Sequence, residues 1–163
     1  MAEHPRLAVL FVCLGNICRS PTAQGIFEQQ VRERGLSASI EVDSAGTAAF
    51  HKGAAPDHRS TRVAAGRGYD LSRLRARQVL TEDFQRFDYI LAMDADNLSN
   101  LQTIAPEGAR AQLQLFLDYA SQKNFTEVPD PYYGGARGFD QVLDLIEDAS
   151  KGLLDRLSRR LGD

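Results

Sequence analysis

The chain has only two cysteines, three histidines and no tryptophan in 163 residues. Two thiols cannot build a four-cysteine zinc site. His4, His51 and His58 lie at irregular spacing in polar surroundings, so exposed loop residues are the plain expectation. A mixed cysteine–histidine zinc site stays open as an alternative. No apolar run nears the ~20 residues that span a bilayer. The apolar stretch near the N-terminus is short for a signal sequence and is flanked by an acid and a proline. A net charge of −3 supplies no general attraction to nucleic acid or to an anionic membrane. These absences lead us to expect a soluble cytoplasmic protein, monomeric and without a cofactor, in which thiols stay reduced and a structural disulfide is not expected.

What is present is a globular composition, 43% hydrophobic and 25% charged, in a length suited to a single domain over residues 1–163. No repeat, low-complexity tract or linker divides it. Short apolar runs alternate with amphipathic segments. Residues 6–12, "RLAVLFV", read as a fully buried strand. Residues 21–34 read as a helix with Ser20 at the N-cap, Pro21 at the first helical position and Gly35 closing it. "SIEVDSAG" is a second strand, residues 57–67 a helix, 88–92 a third strand and 95–104 a helix. "AQLQLF" is a short fourth strand. Residues 138–161 set Phe139, Val142, Ile146, Ala149, Leu153, Leu157 and Leu161 on one helical stripe. The alternation predicts an α/β fold: an open central parallel sheet of about four strands with helices on both faces.

Both cysteines fall in "CLGNICRS", between the first strand and the first helix, where ligands collect in open parallel sheets. Five residues separate Cys13 from Arg19, enough for a loop to curl its backbone N–H groups around a tetrahedral anion. Gly15 and Asn16 are residue types that tolerate left-handed backbone. The helix N-terminus adds partial positive charge, and Arg19 a fork of donors matched to phosphate oxygens. The same surroundings favour a thiolate at Cys13, and Ser20 can donate to its sulfur. The loop thus reads as a cradle for an oxyanion with a nucleophile aimed at its central atom, against the plainer reading of a buried structural cysteine near a surface arginine. "EVPDPYYGG" holds Asp130 between Pro129 and Pro131, a candidate acid for a leaving oxygen, or else a rigid turn. Tyr132 and Tyr133 suit the wall of a pocket for an aromatic group. Arg73, Arg75 and Arg77 read as a solvated face.

"FVCLGNICRSP", "DSAGT", "ILAMDADN" and "VPDPYYGG" together resemble the low-molecular-weight protein-tyrosine phosphatase family over nearly the full length. The resemblance implies a phosphatase for phosphotyrosine proteins and small aryl phosphates, working through a cysteinyl-phosphate intermediate. It makes Cys13 the nucleophile, Arg19 the phosphate clamp and Asp130 the general acid and then base. The phosphate-binding loop is then Cys13, Leu14, Gly15, Asn16, Ile17, Cys18, Arg19 and Ser20, able to hold inorganic phosphate or other oxyanions. Asn16 and Ser44 keep the loop curled and Ser20 supports the thiolate. Leu14, Ile17, Phe50, Tyr132 and Tyr133 line the substrate slot. Cys18 resembles the family's second loop cysteine, able to pair reversibly with Cys13 under oxidant. Two positions depart from the family: Phe50 stands where bacterial members usually carry tryptophan, and Leu74 where many carry histidine. Rival expectations are a protein-arginine phosphatase on the same fold, an arsenate reductase, or a non-catalytic phosphotyrosine-binding module. Ile17 favours the aryl phosphate over phosphoarginine. No further cysteine is available for a reductase relay, and a binding module would be expected to lose Cys13 or Asp130.

Overall fold

β1 (Leu7–Cys13) has every residue buried, as its unbroken apolar sequence requires of a strand covered on both faces. The computed structural model describes residues 7–131 and 135–162. β1 pairs in parallel with β2 (Ile40–Gly46) on one side and β3 (Tyr89–Ala92) on the other, and β4 (Gln112–Leu115) adds to β3. The strand order is β2-β1-β3-β4. The chain therefore leaves β1 for one neighbour and later returns to the other, which opens a crevice at the carboxyl ends of β1 and β3. β4 is the half-exposed edge strand.

Alternate residues of β1 feed two cores. Leu7, Val9 and Phe11 pack under α1 (Arg19–Glu33) and α5 (Gly135–Arg160), with Ile26, Phe27, Ile146, Leu153 and Leu157. Phe11 meets the rings of Phe27 and Phe116 edge-on at 5.7 and 4.9 Å. Ala8, Leu10 and Val12 face Phe84 and Phe87, at and after the single-turn α3 (Asp83–Arg86), and Leu101 of α4 (Ala95–Ile104). Each fully buried Leu, Ile or Phe adds about 1.5–3 kcal/mol relative to exposure, so β1 is the most heavily anchored strand.

The predicted stripe of α5 is buried along its whole length. The helix starts three residues earlier than its sequence pattern indicates, before the stripe begins. α4 has the predicted limits, capped by Asp94, which accepts from the Asn97 N–H. α2 (His58–Gly66) is capped by Asp57. α1 ends as predicted, with Gly35 at φ 76° while Gly35 and Leu36 donate to the carbonyls of Arg32 and Val31.

Its beginning differs from expectation. Cys18 occupies the N-cap position, no side chain caps the helix, and Ser20 lies within the first turn. The Ser20 hydroxyl is instead committed to Cys13 and Asn16. The one-turn α3 has no sequence counterpart, because four residues carry too little periodicity to be read.

Candidate active site

Residues 14–18 link β1 to α1 at the crevice, and the first-turn N–H groups of α1, lacking a side-chain cap, are available to an anion there. Cys13 is buried at the last position of β1. Its sulfur accepts from the Asn16 N–H at 3.3 Å and lies 3.0 Å from the Ser20 hydroxyl. Ser20 Oγ accepts from Asn16 Nδ2 at 2.8 Å, which leaves its own proton to point at Cys13 Sγ.

Asn16 holds the curl. It is the non-glycine residue with positive φ among the described residues, at 58°. Gly15, also expected to serve a left-handed position, does not; a Cβ there would meet only the ring of the exposed His51, at 2.9 Å. Asn16 Nδ2 also donates to Ser44 Oγ at 3.0 Å, and Asn16 Oδ1 accepts from the Arg77 N–H at 3.0 Å. One buried carboxamide thus ties the loop to α1, to β2 and to the segment beside β2. Gly46, at the end of β2, must come close: a Cβ would sit 2.6 Å from the Leu14 carbonyl oxygen. The Thr47 and Ala48 N–H groups donate to the carbonyls of Cys13 and Leu14, and that of Asp57 to Ile17.

Arg19 is buried beside the loop, where Nη1 donates to Asp94 Oδ2 at 2.7 Å and to the Val128 carbonyl at 3.0 Å. Burial works against its charge, but the Asp94 hydrogen bond and the negative charges of Cys13, Asp94 and Asp130 outweigh it and raise its pKa further. Arg19 therefore stays cationic at any working pH. Asp130 is exposed and lines, with Cys13, Arg19, Leu14, Ile17 and Phe50, a cavity of about 130 Å³. Cys18 borders the same cavity, and neither cysteine is in a disulfide. Phe50 is 76% exposed, a rim rather than a wall. Tyr132 and Tyr133 lie outside the described residues. His51 borders the cavity and His58 is exposed; among the described residues no cluster of three or more metal-ligating side chains forms.

Sequence reasoning missed four contributors. Gln24 Oε1 accepts from Ser44 Oγ at 2.7 Å, continuing the chain Cys13–Ser20–Asn16–Ser44. Its position, one helical turn after Ser20, was the available signal. Asp94 follows β3 at the edge where ligands collect, which likewise pointed to it. The Val128 carbonyl and Arg77 had no such signal. Arg77 is not on a solvated face: it is half-buried, bound to Asp83 at 2.9 Å and Asp43 at 3.1 Å, and its backbone reaches Asn16. Arg73 and Arg75 are exposed, as expected.

Leu74 is buried in the apolar core, and Ser44 donates to Gln24. Gln24→Leu strands the Ser44 hydroxyl. It should lower the unfolding free energy by about 1–3 kcal/mol in urea titrations, whereas Gln24→Glu, which keeps an acceptor, should cost less.

A buried thiol held by one amide N–H and a hydroxyl, an arginine at the first turn of an uncapped helix and a carboxylate lining one small cavity define an oxyanion-binding thiol site on an open parallel α/β sheet. Residues 8–162 match the family model described as low molecular weight phosphotyrosine protein phosphatase. A low molecular weight phosphotyrosine protein phosphatase of Schizosaccharomyces pombe is 44% identical over 93% of this chain and 97% of its own. A protein tyrosine phosphatase of Entamoeba histolytica, solved with Hepes in its active site, superposes with a TM-score of 0.90 at 41% identity, covering 94% of this chain and 97% of that one. A Drosophila arginine phosphatase superposes at 0.86 with 33% identity, covering 91% and 96%. The chain belongs to the low molecular weight phosphotyrosine protein phosphatase family, and it is a hydrolase of phosphorylated proteins.

Proposed function

We propose that the protein hydrolyses phosphotyrosine in proteins, and small aryl phosphates, through a phosphorylated Cys13. Supporting this is the convergence of Cys13, Arg19 and Asp130 on one cavity with Ser20 and the Asn16 N–H on the sulfur. The Cys13 thiolate attacks phosphorus, the bond from phosphorus to the aryl oxygen breaks, and Asp130 gives that oxygen its proton. Arg19 and the α1 N-terminus hold the equatorial oxygens as charge shifts. Water then attacks phosphorus, Asp130 takes its proton, the S–P bond breaks and phosphate leaves a restored thiolate. Ser20 steadies that thiolate, and Asn16 and Ser44 keep the loop in register.

Leu14 and Ile17 offer apolar contact to the ring, with Phe50 at the rim and Tyr132 and Tyr133 as further wall residues. The enzyme works as a monomer, with no cofactor. Turnover needs a reduced thiol, which suits a cytoplasmic setting. Under peroxide, Cys13 and Cys18 form a disulfide, the two thiols being oxidised and the peroxide reduced to water. Thiol reductants reverse this, keeping Cys13 below irreversible over-oxidation.

Since relatives on this fold include an arginine phosphatase, the decisive measurement compares substrates. Phosphotyrosine peptides and p-nitrophenyl phosphate should turn over at least about 10²-fold faster than phosphoserine or phosphoarginine peptides, as the pocket's binding energy is realised only with a ring at the right depth. A phosphoarginine preference would keep the thiol chemistry and overturn the substrate.

A further inference from the structure

Asp83 is a carboxylate only 3% exposed, lodged in the one-turn α3 outside the thiol cavity. It takes both arms of the Arg77 guanidinium, Nη1 at 2.9 Å and Nη2 at 3.2 Å, and the Leu80 N–H at 2.7 Å. Asp43 of β2 holds the same guanidinium: its Oδ2 accepts from Nε at 3.2 Å, while its Oδ1 accepts from the Ser44 N–H at 2.8 Å. Burial works against the Arg77 charge, but the two carboxylates outweigh it and raise its pKa, so the cation persists at any working pH. A buried charge is kept where it is paired, and here two carboxylates share one cation.

The backbone of Arg77 reaches the loop. Its N–H donates to Asn16 Oδ1 at 3.0 Å, and Asn16 Nδ2 turns to Ser20 and Ser44. A carboxamide fits a site of its shape either way round, and the Arg77 N–H, which can only donate, requires oxygen at its end. With nitrogen therefore facing Ser20, the Ser20 oxygen accepts and its proton is left for Cys13 Sγ, 3.0 Å away. Turned round, the amide oxygen would compete with sulfur for that proton. The segment carrying Arg77 joins no strand and meets β2 at an isolated bridge from Gly46 to Gln78. Where that N–H stands thus depends on the anchors of its own side chain.

We infer that Asp83, acting through Arg77 and Asn16, is a positioning residue for the Cys13 nucleophile, an inference that rests on the phosphatase reading above. The carboxylate fixes the guanidinium, the guanidinium fixes the residue whose N–H orients Asn16, and Asn16 directs the Ser20 proton. Asp43 serves both ends of this relay, since it grips Arg77 and also holds the backbone of Ser44, another partner of Asn16. The one-turn α3 is thereby tied to the reaction although none of its residues borders the thiol cavity.

The test is a double-mutant cycle read as kcat/KM for p-nitrophenyl phosphate. Asp83→Asn keeps an oxygen for Leu80 and one arm of Arg77, and Arg77 stays paired with Asp43, so no buried charge is stranded. It should lower kcat/KM about 10-fold. In a Ser20→Ala background, which has no proton to direct, the same change should lower it no more than about twofold. Asp43→Asn, at a less buried site, should follow the same pattern at about fivefold, and carries the test should Asp83→Asn fail to fold. Asp88→Asn is the control for loosened structure. Asp88 also pairs with an arginine, Arg110, and accepts a backbone N–H, that of Ala8 at 2.8 Å, near the start of β1 and away from Cys13. Its kcat/KM should stay within about twofold of wild type. No loss, an equal loss with and without Ser20, or a loss matched by Asp88→Asn would overturn the inference while the phosphatase reading stands. A wild type inert towards p-nitrophenyl phosphate would overturn both.

Discussion

Cys13→Ser should reduce hydrolysis of p-nitrophenyl phosphate by at least about 10⁴-fold while leaving a folded protein that still binds phosphate. The size of the effect follows from the reaction proposed, in which every turnover passes through a bond to Sγ; removing a nucleophile costs far more than removing a group that assists it. Binding survives because the groups that would hold the oxyanion are elsewhere: Arg19, fixed by Asp94 and Val128, and the uncapped start of α1. Serine also fits the position, keeping a hydrogen-bonding atom for Ser20 and the Asn16 N–H in the place of sulfur. Steady-state rates, calorimetric titration with inorganic phosphate and far-ultraviolet circular dichroism together separate lost chemistry from lost structure. Aryl phosphatase activity that survived the change, in folded protein, would rule out the cysteinyl intermediate.

Asp130→Ala should show its effect through the leaving group. A general acid contributes about 10²–10⁴-fold, and most of that when the departing oxygen is basic. The kcat/KM for phenyl phosphate and for phosphotyrosine, which reports the step that expels the aryl oxygen, should fall by about 10²–10³-fold, but that for p-nitrophenyl phosphate much less, because nitrophenolate leaves without a proton. Equal slowing of kcat/KM across a series of phenols would assign Asp130 to binding instead. Stability is expected to change by no more than about 0.5 kcal/mol, since the carboxylate is exposed. The variant also removes one of the negative charges acting on Arg19, but the Asp94 bond remains, so the guanidinium stays placed.

The two departures from the family pattern have different weights. Leu74 stands in the apolar core, and the hydrogen-bond chain that supports the loop ends on Gln24, whose amide nitrogen bridges to Glu28 at 3.2 Å and the Val42 carbonyl at 3.4 Å. Support for Ser44 is thus neutral at its point of contact. Phe50 keeps an aromatic residue at the rim of the thiol cavity, exposed to whatever enters.

Much of this protein was legible in the chain alone, for a physical reason in each case. A strand covered on both faces must be apolar at every position, so β1 declared itself. The stripe of α5 follows the 3.6-residue period because it has one core to face. The loop was readable because its parts are consecutive: a thiol at a strand end, residues tolerant of positive φ, an arginine and the start of a helix need no distant partner to be recognised. Local rules failed where a side chain had a better offer from afar. Ser20, a good N-cap by type, turns to Cys13 and Asn16, and Arg77, exposed by type, is drawn between Asp43 and Asp83. Tertiary structure alone decided that Asp94 and the Val128 carbonyl hold Arg19, and that Gln24 finishes the chain of bonds through Ser44. It alone joined residues of α4 and the segment before Asp130 into one cavity with Arg19. These groups meet only after strands far apart in sequence pair, so local position can nominate Gln24 and Asp94 but not the partners they take.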